Sequence, residues 1–458
     1  MGVERRPGRK VEGVKEGPRE GEPVAVSRTT KQAGEIRARW AWSEPEVWTE
    51  RMLTALENGV KGGKWFSVID KVYAMGNLRA AYQKVATNDG APGVDRQTVE
   101  MFANDLEGNL ARIATELRSG SYRPQPVRRV WIDKPGSVEK RPLGIPTVRD
   151  RVVQAAMVNV LEPIFERDFA AQSYGFRPGR GCKDALRRVE ELLKAGHTWV
   201  VDADLKSYFD TIPHEQLSER VQRKVSDGRM IELIEHCLKQ SIMDGCQHWE
   251  PEGGTPQGAV LSPLLSNVYL DDLDHAMARD GYEMVRYADD FVILCRDERQ
   301  AEQALEKVRQ WTAQAGLTLH PEKTRLVDAT ERGGFDFLGY HFERGMKWPR
   351  AKSLTKLKDA VRAKTRRTSG QSLTAIIDDL NRTLGGWFEY FKHSHQTTFL
   401  PLDRWIRMRL RSILRQHQGR KGRGRGRDHQ RWPNAYFVER GLLTLTTAHV
   451  LAVRSSRR

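Results

Sequence analysis

No stretch of this 458-residue sequence stays apolar for long. The richest, Val152 to Phe165, is interrupted by Gln154, Asn159, Glu162 and Pro163, whereas a membrane-spanning helix needs roughly 20 apolar residues in a row. The first twenty residues contain neither an apolar core nor a small-residue cleavage site, so a secretory signal is not expected. Cysteine is scarce. Cys182, Cys237, Cys246 and Cys295 are far apart and form no C-x-x-C pair, which argues against a disulfide framework and against a Cys-rich zinc site and fits a reducing cytoplasm. Also missing are a Walker A loop, an H-E-x-x-H helix and a G-x-S-x-G elbow, and the corresponding hydrolase classes are disfavoured.

Positive charge, by contrast, is in excess. Lys and Arg number 76 against 60 Asp and Glu, a net of +16 that points to a polyanionic partner. The excess is concentrated. Met346 to Arg458 hold 26 basic and 7 acidic residues, a net of +19, so everything before them is slightly acidic. Within that last quarter, Leu400 to Gln416 places Trp405, Ile406, Leu410, Ile413 and Leu414 at helical spacing, with Arg404, Arg407, Arg411 and Arg415 recurring on another face. This reads as a folded helix displaying arginines to nucleic acid.

Periodicity predicts the following organisation. Residues 1–47, rich in Gly, Pro, Glu, Arg and Lys, form a disordered leader. Order begins near Trp48. Helices run to the turn-rich Asn88 to Asp95 and again over 98–119, 148–167 and 182–195; a short β-branched strand, His197 to Leu205, follows. After a Gly-rich loop come a helix from Pro263 to Arg279, a strand-turn-strand over Met284 to Cys295, a helix over 298–315 and strands at 324–328 and 335–342. From Leu354 to His417 the pattern is all helix. The fold class is α+β, with an antiparallel-type core followed by a basic helical domain.

Two features carry the chemistry. Asp289 and Asp290 sit in a tight turn between apolar strands, and Asp204 ends the strand WVVDADL. Either alone is ordinary turn or cap composition. Together, on neighbouring strands, they supply carboxylates from separate chain segments, as a pair of Mg²⁺ ions requires. Ahead of Ser262 and Pro263, which suit a helix N-cap and first turn, Gly253, Gly254 and Gly258 allow a backbone to come close to a ligand. Lys134, Lys140, Arg141, Arg149 and Arg151 are available to grip phosphate.

In order along the chain, NDGAPGVD, KRPLGIPTVRDRVVQ, YGFRPGRGC, DADLKSYFDTIPH, GTPQGAVLSPLLSNVYLDDLD, RYADDFVIL and FDFLGYHF resemble the successive reverse-transcriptase blocks of bacterial-type group II intron-encoded proteins. GGWFEYFKHSH with the arginine-rich helix resembles their maturase or thumb domain, and the likeness spans about Trp65 to His417. It implies a right-hand polymerase fold, with fingers and palm at 48–345, a thumb/maturase domain at 346–417 and a basic DNA-contacting tail at 418–458. It also implies that Asp204, Asp289 and Asp290 are catalytic and, with the Leu205 carbonyl, hold two Mg²⁺ ions. Lys134, Arg141, Phe209, Gln257 and Gly258 would bind the dNTP, with Phe209 rejecting a 2′-hydroxyl. Phe337, Leu338, Gly339 and Tyr340 would grip the primer, and Arg404, Arg407, Arg411 and Arg415 the intron RNA.

The implied activity is RNA-directed DNA synthesis from dNTPs on an RNA template with a DNA primer, combined with binding of group II intron RNA to promote splicing, and mobility into target DNA by target-primed reverse transcription. A cytoplasmic, nucleoid-associated ribonucleoprotein is expected, with no membrane partner; a homodimer stays open. Longer members end in an endonuclease domain with paired cysteines and histidines, and no cysteine follows Cys295, so that domain is not expected. A domesticated reverse transcriptase in defence or repair, or a maturase acting mainly as an RNA-binding splicing cofactor, are the other readings.

Overall fold

The computed structural model describes residues 34–133, 140–368, 370–420 and 422–455. Most of the expected leader and the turn containing Lys134 lie outside them. Two four-stranded sheets and one three-stranded sheet are set among helices.

The first sheet has the order β2-β1-β4-β5, from β1 (Val127–Asp133), β2 (Lys140–Ile145), β4 (Ile242–Asp244) and β5 (Gln247–Trp249). The second, the palm, has the order β6-β7-β3-β8, all antiparallel, from β3 (Trp199–Asp204), β6 (Glu283–Tyr287), β7 (Asp290–Cys295) and β8 (Arg325–Asp328). The third is an antiparallel meander of β9 (Phe335–Phe337), β10 (Tyr340–Glu343) and β11 (Met346–Pro349).

Helix α1 (Val148–Glu166) begins where the Thr147 side chain accepts from the Asp150 N–H. It is buried nearly all round, its polar Asp150, Arg151, Gln154 and Asn159 included, and runs through the core. Helices α2 (Cys182–Lys194), α3 (Ser262–Arg279) and α4 (Glu298–Gln314) contact the palm sheet. In α3 the Ser262 hydroxyl does not cap the helix as expected; it donates to the Pro256 carbonyl at 2.9 Å, and Leu261 stands at the cap position. The C-terminal part is helical, with α5 (Ala351–Lys364), α6 (Leu373–Phe391), α7 (Phe399–His417) and α8 (Leu445–Ser455). Among the described residues no helix is long and apolar enough to cross a membrane.

Order starts earlier than the sequence suggests. Trp40 is buried and its indole N–H donates to Glu57 at 3.0 Å, and Trp48 is fully buried with its indole N–H on the Asn159 carbonyl at 2.9 Å. Residues 34–47 therefore include packed structure, because tryptophan brings more apolar area than the polar composition around it reveals.

The tail assigned to 418–458 also differs from expectation. Trp432, Phe437, Leu442 and Leu445 are buried with Leu357, Ile377, Ile406 and Leu410 in one cluster. The Asp403 carboxylate, on α7, accepts from the Leu445 and Thr446 N–H groups and so caps α8 from across the domain. Thus helices α5 to α8, with Trp432, Phe437 and Leu442 between α7 and α8, pack as one unit with no break at 417. A further buried cluster joins this unit to the palm through Phe335, Phe337, Tyr340, Phe342 and Phe391.

Candidate active site

The palm register brings the acidic residues together. On β3 and β7, Ala203 pairs with Phe291 and Asp204 with Asp290, while Tyr287 and Asp290 close the two-residue turn Ala288–Asp289. Alternation along β3 leaves Ala203 buried and puts Asp202 on the same face as Asp204. Four carboxylates, from Asp202, Asp204, Asp289 and Asp290, are thus gathered at one end of two adjacent strands.

Their electrostatics are unfavourable. Burial pushes the Asp290 carboxyl up to about 7, reinforced by the negative charges of Asp202, Asp289 and Asp204. Asp289 is raised by burial and by Asp204, against the opposing pull of Arg141 and Arg286. Burial also raises Asp202, whose carboxylate accepts from Arg325 at 3.1 Å. Lys323 donates to Asp204. Among the described residues no three ligating groups already stand in a metal-binding array; Asp204 would have to exchange Lys323 for an ion. The chemistry fits hard cations, since the donors are all oxygen and carry surplus negative charge. The Leu205 carbonyl accepts no hydrogen bond among the described residues, whereas its neighbours are used: the Asp204 carbonyl accepts from His320 N–H at 2.7 Å and Lys206 N–H donates to Thr318 at 2.8 Å.

Beneath the turn lies a residue that sequence reading passed over. Arg286 is fully buried and ion-paired with fully buried Asp274, its Nε 2.8 and 3.0 Å from the two carboxylate oxygens. It also donates to Asn267 Oδ1 at 3.0 Å, Ser173 Oγ at 2.8 Å and the carbonyl of Ala288 at 2.9 Å. That last bond holds the turn in which Ala288 adopts φ +59°, a left-handed conformation unfavourable for a residue with a Cβ. Segment 172–175 flanks β6, with Tyr174 N–H on the Arg286 carbonyl at 2.8 Å, and a Cβ on Gly175 would come within 2.3 Å of the Ala288 nitrogen. The hint was available in sequence: an arginine inside an apolar strand and an aspartate inside an apolar helix each need a buried partner.

Of the expected nucleotide-contacting residues, Phe209 and Gln257 border a cleft of about 510 Å³, lined also by Arg129, Gly144, Asp210 and Trp249, while Arg141 and Gly258 are not part of its lining. Phe209 is half-buried, with Tyr208 edge-on at 5.4 Å. Gln257 donates to Asp210 at 3.3 Å and its carbonyl accepts from Gly144 N–H at 2.6 Å. The glycines here serve the protein's own packing. A Cβ on Gly254 would meet the Phe209 carbonyl at 2.6 Å, and one on Gly258, at φ +102°, would meet the Gly144 carbonyl at 2.6 Å. Close backbone approach was expected, but its partner is the neighbouring chain segment. Arg141, on β2, is exposed; burial raises the carboxyls of both Asp289 and Asp210, and the charge of Arg141 acts against that rise at each. Lys134 lies outside the described residues.

Phe337 and Tyr340 are core residues, each 1% exposed, so only the turn between them can meet a ligand. Leu338 and Gly339 both have positive φ, +46° and +83°, the geometry of a two-residue hairpin turn. Tyr390 of α6 donates to the Leu338 carbonyl at 2.7 Å and Ser353 of α5 to that of Gly339 at 3.1 Å, fastening the turn to the thumb.

The arginine face of α7 is not displayed as expected. Arg404 is exposed, but Arg407 and Arg411 are buried. Arg411 donates to the Trp432 carbonyl and to Asn434 Oδ1, both at 2.9 Å, with its guanidinium over the Phe437 ring. Arg415 pairs with Asp428 at 2.6 Å. The C-terminal segment covers this face, and the exposed arginines of the domain include Arg366, Arg367, Arg423, Arg425 and Arg427.

Residues 132–342 match the family described as reverse transcriptase (RNA-dependent DNA polymerase), and residues 354–432 match the group II intron maturase-specific domain. Protein YkfC of Escherichia coli is 32% identical over 348 residues, which cover 67% of this chain and 86% of that protein. The group II intron-encoded protein LtrA of Lactococcus lactis is 41% identical over 196 residues, covering 42% of this chain and 32% of LtrA. The nuclear intron maturase 2 of Arabidopsis thaliana is 27% identical over 334 residues, covering 61% of this chain and 44% of that protein. With polymerase blocks, palm geometry and maturase domain in one order, the chain belongs to the group II intron-type reverse transcriptases.

Proposed function

We propose that the chain copies RNA into DNA at the Asp204, Asp289 and Asp290 cluster, and that its C-terminal domain grips group II intron RNA to promote splicing and insertion into target DNA. The observation that carries the catalytic half is the pairing of Asp204 with Asp290 next to the Asp289 turn, which concentrates negative charge without a matching protein cation for each carboxylate. We assign two Mg²⁺ ions to these carboxylates and the Leu205 carbonyl. Bound there, the ions would acidify the primer 3′-hydroxyl and neutralise charge on the triphosphate.

The chain's own contribution is positioning. Arg286 holds the turn from below, so that Asp289 and Asp290 need no reorganisation during the reaction. Arg141 faces the triphosphate, and Lys134 is assigned the same ligand. Phe209 closes the sugar side of the cleft against a 2′-hydroxyl, Gln257 and Gly258 line the base pair, and the Leu338–Gly339 turn supports the primer end.

Primer extension on an RNA template tests the assignment. Asp289→Ala should reduce extension by at least about 10³-fold, since the interaction it removes acts on the reacting atoms. Binding of the intron RNA should stay within about twofold, because the basic domain supplies most of the attraction. Extension at near wild-type rate would refute the polymerase site. Loss of RNA binding in the same variant would refute the separation of the two roles.

A further inference from the structure

Helix α5 begins against the usual rules. Helix starts favour Ser, Thr, Asp or Asn at the cap and acidic residues in the first turn. Here the cap residue is Arg350, which makes no capping hydrogen bond, and the first turn contains Lys352 and no acid. Elsewhere in the chain Thr49, Thr98, Thr147, Asp227, Asp297 and Ser372 cap their helices through side-chain oxygens; other helices, α3 and α7 among them, also start without a side-chain cap but with Leu261 and Thr398 at that position, not a cation. A cationic start is tolerated where an anion is to be bound.

Arg350 is also unusual among the buried or half-buried arginines near the palm. Arg286 is saturated by Asp274 and its other acceptors, and Arg177 by Glu166. Arg350 has no side-chain hydrogen bond or ion pair among the described residues, and its Nε is buried without a partner. Leaving such a donor unpaired costs stability. Its backbone is fixed, with the N–H donating to the Gly339 carbonyl at 2.9 Å in the β9–β10 turn.

The surroundings identify what would satisfy it. Arg350, Lys352, Ser353 and Lys356 line a cleft of about 400 Å³ whose other wall carries Arg141 of β2 together with Ile132 and Asp133 of β1, so four cations face a single carboxylate. A second cleft, of about 580 Å³, shares Arg350, Ser353 and Lys356 and reaches Asp290. The positive charge of Arg350 acts on the Asp290 carboxyl, partly offsetting the effect of burial. A side chain with a planar array of donors thus stands between the carboxylates and a basic cleft, with no side-chain partner among the described residues.

We infer that Arg350, with Lys352 and Lys356, forms a phosphate-binding site on the thumb side of the carboxylates, opposite Arg141. The inference deepens the polymerase reading and rests on it for the identity of the phosphate, which is either a phosphodiester of the primer strand or the triphosphate of the incoming nucleotide. A guanidinium recognises two phosphate oxygens at once, which an ammonium cannot reproduce.

The test uses Arg350→Gln, Arg350→Lys and Lys356→Gln in the full chain. Two constants are measured: the dissociation constant of an RNA-template/DNA-primer duplex without metal, and the KM for dNTP in single-nucleotide extension. Arg350→Gln should weaken one of them by about tenfold or more, the scale of one charge-assisted hydrogen bond to phosphate. Arg350→Lys should recover only part. A shift in duplex binding assigns the primer phosphodiester, and a shift in KM the triphosphate. The melting temperature of Arg350→Gln should not fall, because the side chain has no partner to give up among the described residues; should that variant misfold, Lys356→Gln on the exposed helix surface reads the same constants. Both constants within about twofold of wild type in Arg350→Gln and Lys356→Gln would overturn the site. Duplex binding is read without catalysis. A wild-type chain that binds duplex through Arg350 yet makes no DNA would sink the polymerase reading and leave this one standing.

Discussion

Asp290 in the palm and Asp428 in the C-terminal domain are both carboxylates brought into the fold, and the protein treats them in opposite ways. Asp290 faces three other carboxylates and is pushed up to about 7. Asp428 accepts from the Arg425 N–H and pairs with Arg415, and these hold it below the usual carboxylate range. Likewise Arg411 and Asp403 of α7 spend their polar groups on the backbone and side chains of 432–446. A charged residue in an apolar setting therefore marks a ligand site only where the chain fails to satisfy it. The palm leaves charge unmet at its surface and saturates the anchor underneath; the C-terminal domain satisfies Asp403, Arg411 and Asp428 within and leaves arginines at its surface.

The largest effect should come from breaking the saturated anchor. Asp274→Ala would strand a fully buried guanidinium, and removing one partner of a buried pair costs about 3–5 kcal/mol. Because Arg286 also holds the Ala288 carbonyl, extension should be lost even at temperatures where the variant is folded. Arg286→Lys, which keeps the charge but not the fan of donors, should remain folded and extend primers poorly. Melting curves and single-turnover extension check both. Wild-type extension by folded Arg286→Lys would remove Arg286 from any positioning role.

Next in size is the pH dependence set by Asp290. Its folded pKa lies near 7, above the unfolded value, so between roughly pH 4 and 7 the folded state holds a proton that the unfolded state has released. Ion-free stability should fall as pH rises through that window. Asp290→Asn removes the penalty and should raise ion-free stability at pH 8 by about 1–4 kcal/mol, with little change near pH 4. A divalent cation relieves the same repulsion, so Mg²⁺ should raise the wild-type melting temperature more at pH 8 than at pH 5.5. Equal shifts at both pH values would contradict the reading. The depressed Asp428 has the reverse sign: its contribution is present above the unfolded carboxylate pKa and disappears as pH falls below it.

Much of this was legible from local pattern. The strand-turn-strand at 284–295 and the strand ending at Asp204 follow from alternation and β-branching, and their adjacency from the need to pair carboxylates across segments. Long-range packing was not legible. The 3-4-4 spacing of Arg404, Arg407, Arg411 and Arg415 places four arginines along one side of α7, but only the fold reveals that Arg407 and Arg411 are buried and that Arg411 is spent on Trp432 and Asn434. The basic composition of 418–458 hid Trp432, Phe437 and Leu445, which are the residues that bind it to the domain. Strands β4, β5 and β11 are three or four residues long, too short for a period-2 pattern to register. Strand β11 also bears on experiment. A truncation near 345, which composition recommends for separating polymerase from RNA binding, would delete β11 and strip Phe391 from a cluster shared with the palm, so point substitutions separate the roles better.

The smallest effects distinguish the two kinds of arginine within the C-terminal domain. Arg423, Arg425 and Arg427 are exposed, and replacing all three by Gln removes charge without opening the core. If they meet RNA phosphates, each phosphate left without its arginine should reduce the slope of log affinity against log salt by about 0.7 to 0.9, giving a decrease of about 2 to 3 for the triple variant. Arg411→Met should do the converse. It abandons the Trp432 carbonyl and Asn434 at a cost of about 1–3 kcal/mol, yet it should leave the salt slope of the folded protein unchanged, because a guanidinium that is 3% exposed has no phosphate to release ions from. Salt titrations of intron-RNA binding, run beside melting curves, read the two quantities separately. Flattening of the slope by Arg411→Met as large as that of the triple variant would mean that the domain opens to present its interior arginines to RNA, and the contrast between saturated interior and available surface would fail there first.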